Sequence, residues 1–368
     1  MVTTSAGVSA VVVRKVVDPQ ERAGLAQRLA ELSSTTEMKA YGVEQWQFLL
    51  NAAGGIDNSN DNDIKRHAVT PFVVVTRETT TTTTTPNKDQ GQAANPILGC
   101  VLRIDYGAND FAYGMMLVSP RARGQGLARK LLTAAMEQQP QQQSPDSTVR
   151  HILGTCTELG RPFYEKVGYQ RVATVTRMTA AVEDLKQRLN VDDNANDDIR
   201  VSITPSGSSS SSLSSPLWSQ FLALDKQATG LDRSTILTAI HDYDYVQTLT
   251  ISKQSKEGDT LVAAALLTQH TESSTVMVGP LLGDASYVPR LLQAVVLVDP
   301  KNPTTGNKSN AVLEEIALIV ADHADLVRQL HQELGFEIAF ELGAMTLEGR
   351  PLPGRRDLYL GLLHPTLG

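Results

Sequence analysis

The order of apolar and polar positions predicts strands and helices from the start of the chain. Residues 8–17 alternate as a half-buried strand does, whereas residues 20–32 and 41–52 repeat apolar side chains every three or four positions, as amphipathic helices do. Two apolar runs, 68–76 and 97–106, predict two further strands. The chain therefore opens as a mixture of helices and strands.

The same pattern continues with a strand, a glycine-containing turn and a helix, followed by a strand, a short helix and a strand. These elements are predicted over residues 111–118, 127–139, 149–156, 162–167 and 169–178. One mixed α/β unit is thereby complete.

A change of composition predicts a domain boundary after this unit. Residues 190–198 are acidic and rich in Asn, and residues 206–215 are nearly pure serine. We therefore predict an N-terminal domain over 1–189, a linker over 190–215 and a C-terminal domain over 216–368. The C-terminal domain is predicted to repeat the mixture of helices and strands of the N-terminal domain. Its predicted helices are 217–225, 234–241, 288–298 and 323–334, and its predicted strands are 245–251, 261–269 and 275–278.

Composition and charge narrow the class of protein. The 368 residues are 41% hydrophobic and 20% charged, which is typical of a soluble globular protein, and the length favours two domains. Because the chain has a net charge of −7 and no basic stripe, nucleic acid is not predicted as a partner. A basic histone tail is still compatible with this charge as a partner. Cys100 and Cys156 form no C-x-x-C pair, and Arg14 and Lys15 interrupt the N-terminal apolar stretch. We predict a cytoplasmic protein without a membrane span.

The stretch VSPRARGQGLARKLL, residues 118–132, carries the strongest chemical signal. Gly124 and Gly126 let the backbone approach a ligand closely, and the residues that follow open a helix whose first amide groups have no internal partner. Such a helix start suits an anion like a pyrophosphate, and Arg123 adds a cation. Taken alone, G-x-G before a helix is also compatible with a simple tight turn.

The longer pattern V-x-P-x-x-R-G-x-G-L-A-x-x-L-L resembles the pyrophosphate loop of the GNAT superfamily of acyl-CoA N-acyltransferases. Its core signature falls on Arg123, Gly126 and Ala128. Downstream, residues 160–169 (GRPFYEKVGY) resemble the family segment G-x-P-x-Y-x-x-x-G-F, with Tyr169 in place of the usual Phe. Neither a Rossmann nor a Walker motif is present.

This resemblance implies an α/β fold with a mixed sheet and acetyl-CoA as co-substrate, with no metal. An amine would attack the thioester directly, without a covalent enzyme intermediate. The resemblance also implies which residues bind acetyl-CoA: Met116, Leu117, Val118, Arg123, Gly124, Gln125, Gly126, Leu127 and Ala128.

The resemblance further implies catalytic roles. A backbone N–H of Leu117 or Val118 would polarise the thioester carbonyl, and Tyr164 would protonate the departing CoA thiolate. Tyr164 is also compatible with a plain core aromatic. Glu158 is the candidate general base.

Two other carboxylates, Asp105 and Asp110, are alternative bases. Glu158, Asp105 and Asp110 are each also compatible with an ordinary carboxylate that is solvated or lies in a turn. Cys156 is compatible with lining the cleft, but a buried, inert thiol is the simpler interpretation.

The second half resembles the C-terminal domain of YitH-like tandem acetyltransferases. The resemblance rests on residues 229–233 (TGLDR), 278–281 (VGPL) and 352–363 (LPGRRDLYLGLL). This half lacks the R-x-x-G-x-G/A loop and places Asp284 near a helix start, where a carboxylate would repel a pyrophosphate. We therefore predict a degenerate GNAT-like domain that shapes the acceptor pocket or an interface.

Two polar features of this half have plain structural interpretations. Asp232 is predicted to cap a helix N-terminus. Residues 241–244 (HDYD) form a polar cluster at a helix end, which predicts a solvated turn and leaves acceptor contact as the alternative.

Together these features predict an N-acetyltransferase that uses acetyl-CoA and a primary amine. A small amine or amino acid is the preferred acceptor. The alternatives are a lysine acetyltransferase acting on proteins or peptides, and a non-catalytic regulator that binds acyl-CoA. Acetyl-CoA and the acceptor are the predicted partners, with a homodimer left open.

Overall fold

The computed structural model describes two compact units. One comprises Met1–Ile104 with Tyr113–Ser144, and the other Asp105–Ala112 with Pro145–Gly368. The described residues are 11–16, 19–36, 41–51, 69–76, 96–107, 109–137, 149–189, 199–205, 216–243, 245–255, 258–269, 273–297 and 312–367.

The first unit combines four strands with three helices. Its strands are β1 Val11–Lys15, β2 Val69–Thr76, β3 Ile97–Asp105 and most of β4 Asp110–Val118; its helices are α1 Pro19–Ser34, α2 Val43–Asn51 and α3 Leu127–Glu137. The strands follow one another in the order β1–β2–β3–β4; β1 pairs antiparallel with β2, and β2 antiparallel with β3.

The helices of the first unit bury their apolar faces. Trp46 of α2 is fully buried and donates its indole N–H to Ser33 Oγ at 2.9 Å, which satisfies the polar end of the ring. On α3 the apolar stripe is buried at the spacing that one helix face requires, namely Leu127, Leu131, Leu132 and Ala135. Burial of this stripe holds α3 in place directly after the turn that precedes it.

The second unit is built on a longer mixed sheet. Its strands are β5 Arg150–Cys156, β6 Tyr169–Ala181, β7 Ile199–Pro205, β8 Val246–Lys253, β9 Thr260–Thr268, β10 Thr275–Gly283, β11 Glu315–Ala321, β12 Glu337–Leu347 and β13 Tyr359–Gly361. They lie in the order β5–β12–β6–β11–β13–β10–β9–β8–β7, antiparallel except for an additional parallel pairing of β10 with β11.

Six described helices accompany this sheet. The helix that follows β10 precedes β11, as expected where two parallel strands need a crossover. Its buried residues join a hydrophobic cluster formed by β6, β8, β9, β10 and β11. The helices are α4 Arg161–Lys166, α5 Val182–Arg188, α6 Pro216–Thr229, α7 Ser234–His241, α8 Val288–Leu297 and α9 Ala324–Gln332.

The α/β class with a mixed sheet, predicted from the sequence, is confirmed. Two described elements were missed: α5, and β7, which lies inside the predicted linker 190–215 and pairs with β8 along its whole length. The bounds of the two predicted domains and the linker stay a prediction. The compact units are a different division of the chain, since one of them joins Pro145–Gly368 into a single unit with Asp105–Ala112. Within the described parts of the chain, no helix is both long and apolar enough to cross a membrane.

Candidate active site

The turn between β4 and α3 has a backbone that requires glycine. A short 3-10 helix, Pro120–Ala122, follows β4. Gly124 and Gly126 then have φ angles of +78° and +72°, in the left-handed region that side chains disfavour. A Cβ atom built on either glycine would meet nothing within 4 Å. The glycines are therefore needed for the backbone path, and open space lies beside that path.

The start of α3 offers hydrogen-bond donors to this open space. The first bond of the helix runs from the Lys130 N–H to the Gly126 carbonyl at 3.1 Å, so the amides of the first turn have no acceptor within the helix. The exposed Arg123 guanidinium donates to the Val118 carbonyl at 3.4 Å, next to the same turn. Unbonded amides, the positive end of the helix dipole and a guanidinium together fit a phosphate group.

Backbone direction in β4 distinguishes the two amides that the sequence left open. The Ser119 N–H donates to the Leu98 carbonyl of β3 at 2.8 Å, and Leu117, two residues earlier in the strand, faces β3 in the same way. Successive residues of a strand point their backbone groups to opposite edges, so Val118 points away from β3. Val118 is thus the amide that is free of this pairing, together with Met116.

A distortion lies just before these residues. Met115 has a φ angle of +50°, which is rare for a residue with a side chain, and its carbonyl accepts a hydrogen bond from Cys100 Sγ at 3.4 Å. Burial raises the pKa of Cys100 to about 12, so this thiol keeps the proton that it donates. Such strain persists only where its surroundings hold it, and it concentrates at functional sites.

In the second unit, Tyr164 lies on α4 and is 6% exposed. Its ring makes edge contacts with Phe163 and Tyr169, with ring centroids 5.0 and 5.8 Å away. Burial, and secondarily the neighbouring Cys156, raise the pKa of the Tyr164 hydroxyl well above its ordinary value. The hydroxyl therefore keeps its proton at neutral pH, as a proton donor must.

Glu158 occupies a surface ion-pair network. Its carboxylate is 63% exposed and lies 2.9 Å from Arg161 Nη2 and 3.7 Å from Arg171 Nη1. Beside it, burial raises the pKa of Cys156 to about 11, and the thiol donates to the Thr157 carbonyl at 3.2 Å. These are the surroundings of a solvated surface carboxylate and an unreactive thiol.

The alternative bases are placed as follows. Asp110 is held by Arg150, with one oxygen 2.9 Å from Nη2 and the other bonded to Nε. Asp105 ends β3 and is half-buried. Among the residues that the structure describes, no three His, Cys, Asp or Glu side chains are grouped as metal ligands.

The second unit contains a cavity that the sequence did not predict. The empty space in it, counted together with space open to solvent, is about 580 Å³, and its sheet side is formed by residues such as Ile152, Gly154 and Val175. Its other side comes from the α6–α7 connection and the C-terminal segment, including Leu231, Arg233, Leu352, Arg356 and Tyr359. Both segments lie in stretches that resemble tandem acetyltransferases. That resemblance is the one feature of the sequence that could have indicated a site here.

A buried ion pair stands at one side of this cavity. Arg233 and Asp225 are each 1% exposed at the side chain and form a two-bond pair, with Arg233 Nε 3.0 Å from Asp225 Oδ2. Arg233 Nη1 also donates to the Tyr359 hydroxyl at 3.3 Å and to the Leu367 carbonyl at 3.4 Å. The carboxylate keeps the Arg233 guanidinium charged despite burial and raises its pKa.

The second half contains a turn equivalent to the glycine turn but with different chemistry. After β10 comes a 3-10 helix, Ala285–Tyr287, and then α8. Asp284 accepts the Ser286 N–H at 2.9 Å, and this bond lowers the pKa of the carboxyl. An ionised carboxylate occupies this helix start, which supports the expectation that this turn does not bind a pyrophosphate.

Two other predicted features can now be placed. The Asp232 carboxylate accepts the Ser234 N–H at 3.3 Å and the Ser234 hydroxyl at 2.6 Å, so it binds the first turn of α7, although Arg233 holds the N-cap position. The predicted solvated turn at residues 241–244 is wrong for His241, which is 2% exposed and packs on Trp218. Asp244 lies outside the described residues.

Comparison with known proteins agrees with this architecture. Residues 88–171 match the profile of the acetyltransferase (GNAT) domain. No curated protein sequence matches the chain. The fold resembles a putative acetyltransferase from Pyrococcus horikoshii, with a TM-score of 0.60 at 12% identity over 100% of this chain and 99% of the other.

Two further solved structures share the fold. A tandem GNAT protein from the clavulanic acid biosynthesis pathway has a TM-score of 0.56 at 12% identity, over 94% of this chain and 100% of the other. A GCN5-related N-acetyltransferase from Sphaerobacter thermophilus has a TM-score of 0.51 at 13% identity, over 94% and 97% of the two chains. At such identities the likeness concerns the fold.

Proposed function

We propose, from the premise that this chain carries a GNAT acetyltransferase domain, that the protein transfers an acetyl group from acetyl-CoA to the amine of a small acceptor. The observation that carries the proposal is the turn before α3, where two glycines with positive φ, a helix start and Arg123 lie inside the matched residues 88–171. A pyrophosphate is the ligand that this chemistry suits.

In this proposal the turn holds the pyrophosphate of acetyl-CoA. The amides of residues 124–128 donate to phosphate oxygens, and the Arg123 guanidinium adds a charge-assisted bond. Gly124 and Gly126 are required because a side chain would strain the backbone at their φ angles. The Leu127 side chain is buried and anchors the helix, so Leu127 contacts the ligand through its backbone amide alone.

Two groups are proposed to act on the reacting thioester. The Val118 N–H, directed away from β3, stabilises negative charge on the carbonyl oxygen as the amine attacks. Tyr164, which keeps its proton at neutral pH because of its burial, supplies the proton for the departing CoA thiolate. The amine becomes acetylated directly, and CoA leaves as the thiol.

The amine must lose a proton before it can attack. Glu158 is kept as the proposed base, but its exposure and its ion pairs with Arg161 and Arg171 favour a role in passing the proton to water. An experiment on Glu158→Gln decides this point. Wild-type kcat in that variant would exclude Glu158 as the base.

The cavity of the second unit supports a small acceptor over a peptide. Its lining is largely apolar with three charged side chains, Arg233, Asp322 and Arg356, as is typical of small-molecule sites. A cytoplasmic location and a homodimer remain predictions from the sequence. The two cysteines are both free and buried, as such a location permits.

The proposal is tested by measuring CoA release from acetyl-CoA with a panel of small amines, amino acids and lysine peptides. Arg123→Ala should weaken acetyl-CoA binding by about tenfold or more, because it removes a charge-assisted bond. Tyr164→Phe should lower kcat by about 10²-fold without changing acetyl-CoA affinity.

Two matched variants control for unspecific effects. Tyr169→Phe makes the same chemical change in a buried ring that contacts Tyr164, and Arg200→Ala removes an exposed arginine on β7. Both should behave as wild type. If the wild-type protein does not bind acetyl-CoA, the assignment of the turn is wrong; if Tyr164→Phe keeps full kcat, the proton donor is another group.

A further inference from the structure

We propose that the cavity of the second unit binds a carboxylate group through Arg356, so that the acetyl acceptor is an amino acid or another amine that carries a carboxylate. The inference rests on the proposed acetyl transfer and adds the chemical class of the acceptor.

The cavity is mostly apolar with a few charged groups. Its walls include Ala112, Ile152, Val175, Ala344 and Leu352, and its charged members are Arg233, Asp322 and Arg356. In a largely apolar site, a small number of placed charges determines which ligand binds and in which orientation. The question is therefore which of these charges is available to a ligand.

Arg233 is already satisfied by the protein. Its two bonds to Asp225, with further bonds to the Tyr359 hydroxyl and the Leu367 carbonyl, engage most of its donors. Its charge is neutralised by a carboxylate with the same burial. A ligand would gain little from this guanidinium.

Arg356 lacks such a partner. In the part of the chain that the structure describes, no carboxylate lies within ion-pairing distance of its guanidinium, which sits over the Tyr359 ring, 4.5 Å from the centroid. The side chain is half-buried, and this burial lowers its pKa without bringing it near neutrality. A partly desolvated cation at a cavity wall is complementary to an anion, and a guanidinium binds a carboxylate with two parallel bonds.

The position of Arg356 is fixed by its backbone. It opens a 3-10 helix, Arg356–Leu358. The His323 ring nitrogen Nε2 lies 2.8 Å from the Arg356 carbonyl and 3.2 Å from the Tyr359 carbonyl, so one imidazole holds both ends of this turn. The Arg355 N–H donates to the Gln227 carbonyl at 2.9 Å. A binding group held in this way loses little freedom when the ligand arrives.

Asp322 places the opposite charge on the same cavity. It directly follows β11 and is exposed, and its Oδ1 accepts the Thr174 N–H at 3.2 Å. A cavity lined by both a guanidinium and a carboxylate is complementary to a molecule that carries both an amine and a carboxylate. A polyamine or an amino sugar without an acid group would leave Arg356 unpaired.

The test compares amino acids with their carboxamides, which keep the amine and the side chain but lack the carboxylate. Binding is measured by calorimetry with and without CoA, and acetyl transfer is measured separately by CoA release. The wild-type protein should bind at least one amino acid about tenfold or more tightly than its carboxamide. Arg356→Gln should abolish this preference, whereas Arg356→Lys should keep part of it because the charge remains.

Arg355→Gln is the matched control, because it makes the same change one residue earlier at an exposed arginine that pairs with Asp357. It should retain the wild-type preference. Circular dichroism and thermal unfolding of all variants exclude a folding defect as the cause of lost binding.

Each result has a defined consequence. Carboxylate preference that is lost in Arg356→Gln and kept in Arg355→Gln supports the inference, even if no acetyl transfer occurs, in which case only the proposed function fails. Equal binding of acids and carboxamides by wild type overturns the inference, and so does a preference that survives Arg356→Gln. Acetyl transfer without carboxylate preference would leave the proposed function standing and refute this acceptor class.

Discussion

Single residues in this protein acquire their properties from burial. His241 is 2% exposed, its ring centroid lies 4.4 Å from that of Trp218, and its Nδ1 atom has no hydrogen-bond partner among the described residues. Burial lowers the pKa of His241 from its ordinary value, an effect that Asp242 partly opposes. The same physical effect keeps Tyr164 and both cysteines protonated.

The neutral form of His241 should contribute stability that is lost in acid. A histidine whose folded pKa is depressed binds fewer protons folded than unfolded, so the free energy of unfolding is unaffected above the unfolded pKa of about 6.5 and falls as the pH drops below it. In His241→Phe, which keeps an aromatic ring beside Trp218, this fall should be smaller. Urea unfolding of both proteins between pH 5 and pH 8 measures the difference.

His331→Gln serves as the control, since His331 is exposed and its Nδ1 lies 2.7 Å from the Phe336 carbonyl. It should keep the wild-type decline in acid. Identical pH profiles for wild type and His241→Phe would contradict the assignment of a lowered pKa.

At the scale of elements, β7 shows how pairing overrides composition. Residues 199–205 lie between an acidic, Asn-rich stretch and a serine run, which together predicted a linker, but they pair with β8 at every position from Ile199 to Pro205. Alternate residues, Ile199, Val201 and Ile203, pack against the hydrophobic cluster of the second unit. The period-2 pattern was present in the sequence, but it is short and its flanks outweighed it.

If β7 is an integral strand, truncating its inward face should destabilise the protein. Ile203→Ala should lower the free energy of unfolding by about 1–2 kcal/mol, because it removes partly buried methyl groups. Thr204→Ala, on the exposed face of the same strand, should change it by less than about 0.5 kcal/mol. Equal, negligible effects of both substitutions in chemical unfolding would mean that this segment acts as a linker.

At the scale of the whole molecule, residues far apart in the chain share one buried polar network. Arg233 joins Asp225 of α6 to Tyr359 and Leu367 of the C-terminal segment, and the Tyr106 hydroxyl donates to the same Leu367 carbonyl at 2.6 Å. All of these groups belong to the second unit. The network closes one side of the cavity and places the turn that contains Arg356.

Breaking the pair at the centre of this network should be costly. Asp225→Asn leaves the Arg233 charge buried without a counter-ion and should lower the free energy of unfolding by about 3–5 kcal/mol. Arg233→Met should have a similar effect, and the double variant should be more stable than the sum of the two losses predicts. Chemical unfolding of the four proteins measures this coupling, and strictly additive losses would show that the pair does not act as a unit.

The sequence by itself determined the features that depend on neighbours along the chain. Apolar periodicity located most described helices and strands, because burial of one face repeats at the period of the element itself. The glycine turn was predictable for the same reason, since Arg123, Gly124 and Gly126 act through the local backbone and the helix that follows at once.

Tertiary structure alone decided which distant segments meet. No local pattern shows that β6 pairs with β11 and β12, or that residues near 154, 233 and 356 line one cavity, because such contacts depend on the packing of elements over long chain distances. Arg355 and Arg356 are identical neighbours in the sequence. Only the fold pairs one with Asp357 in solvent and turns the other toward the cavity, because burial and charge pairing are properties of three-dimensional surroundings.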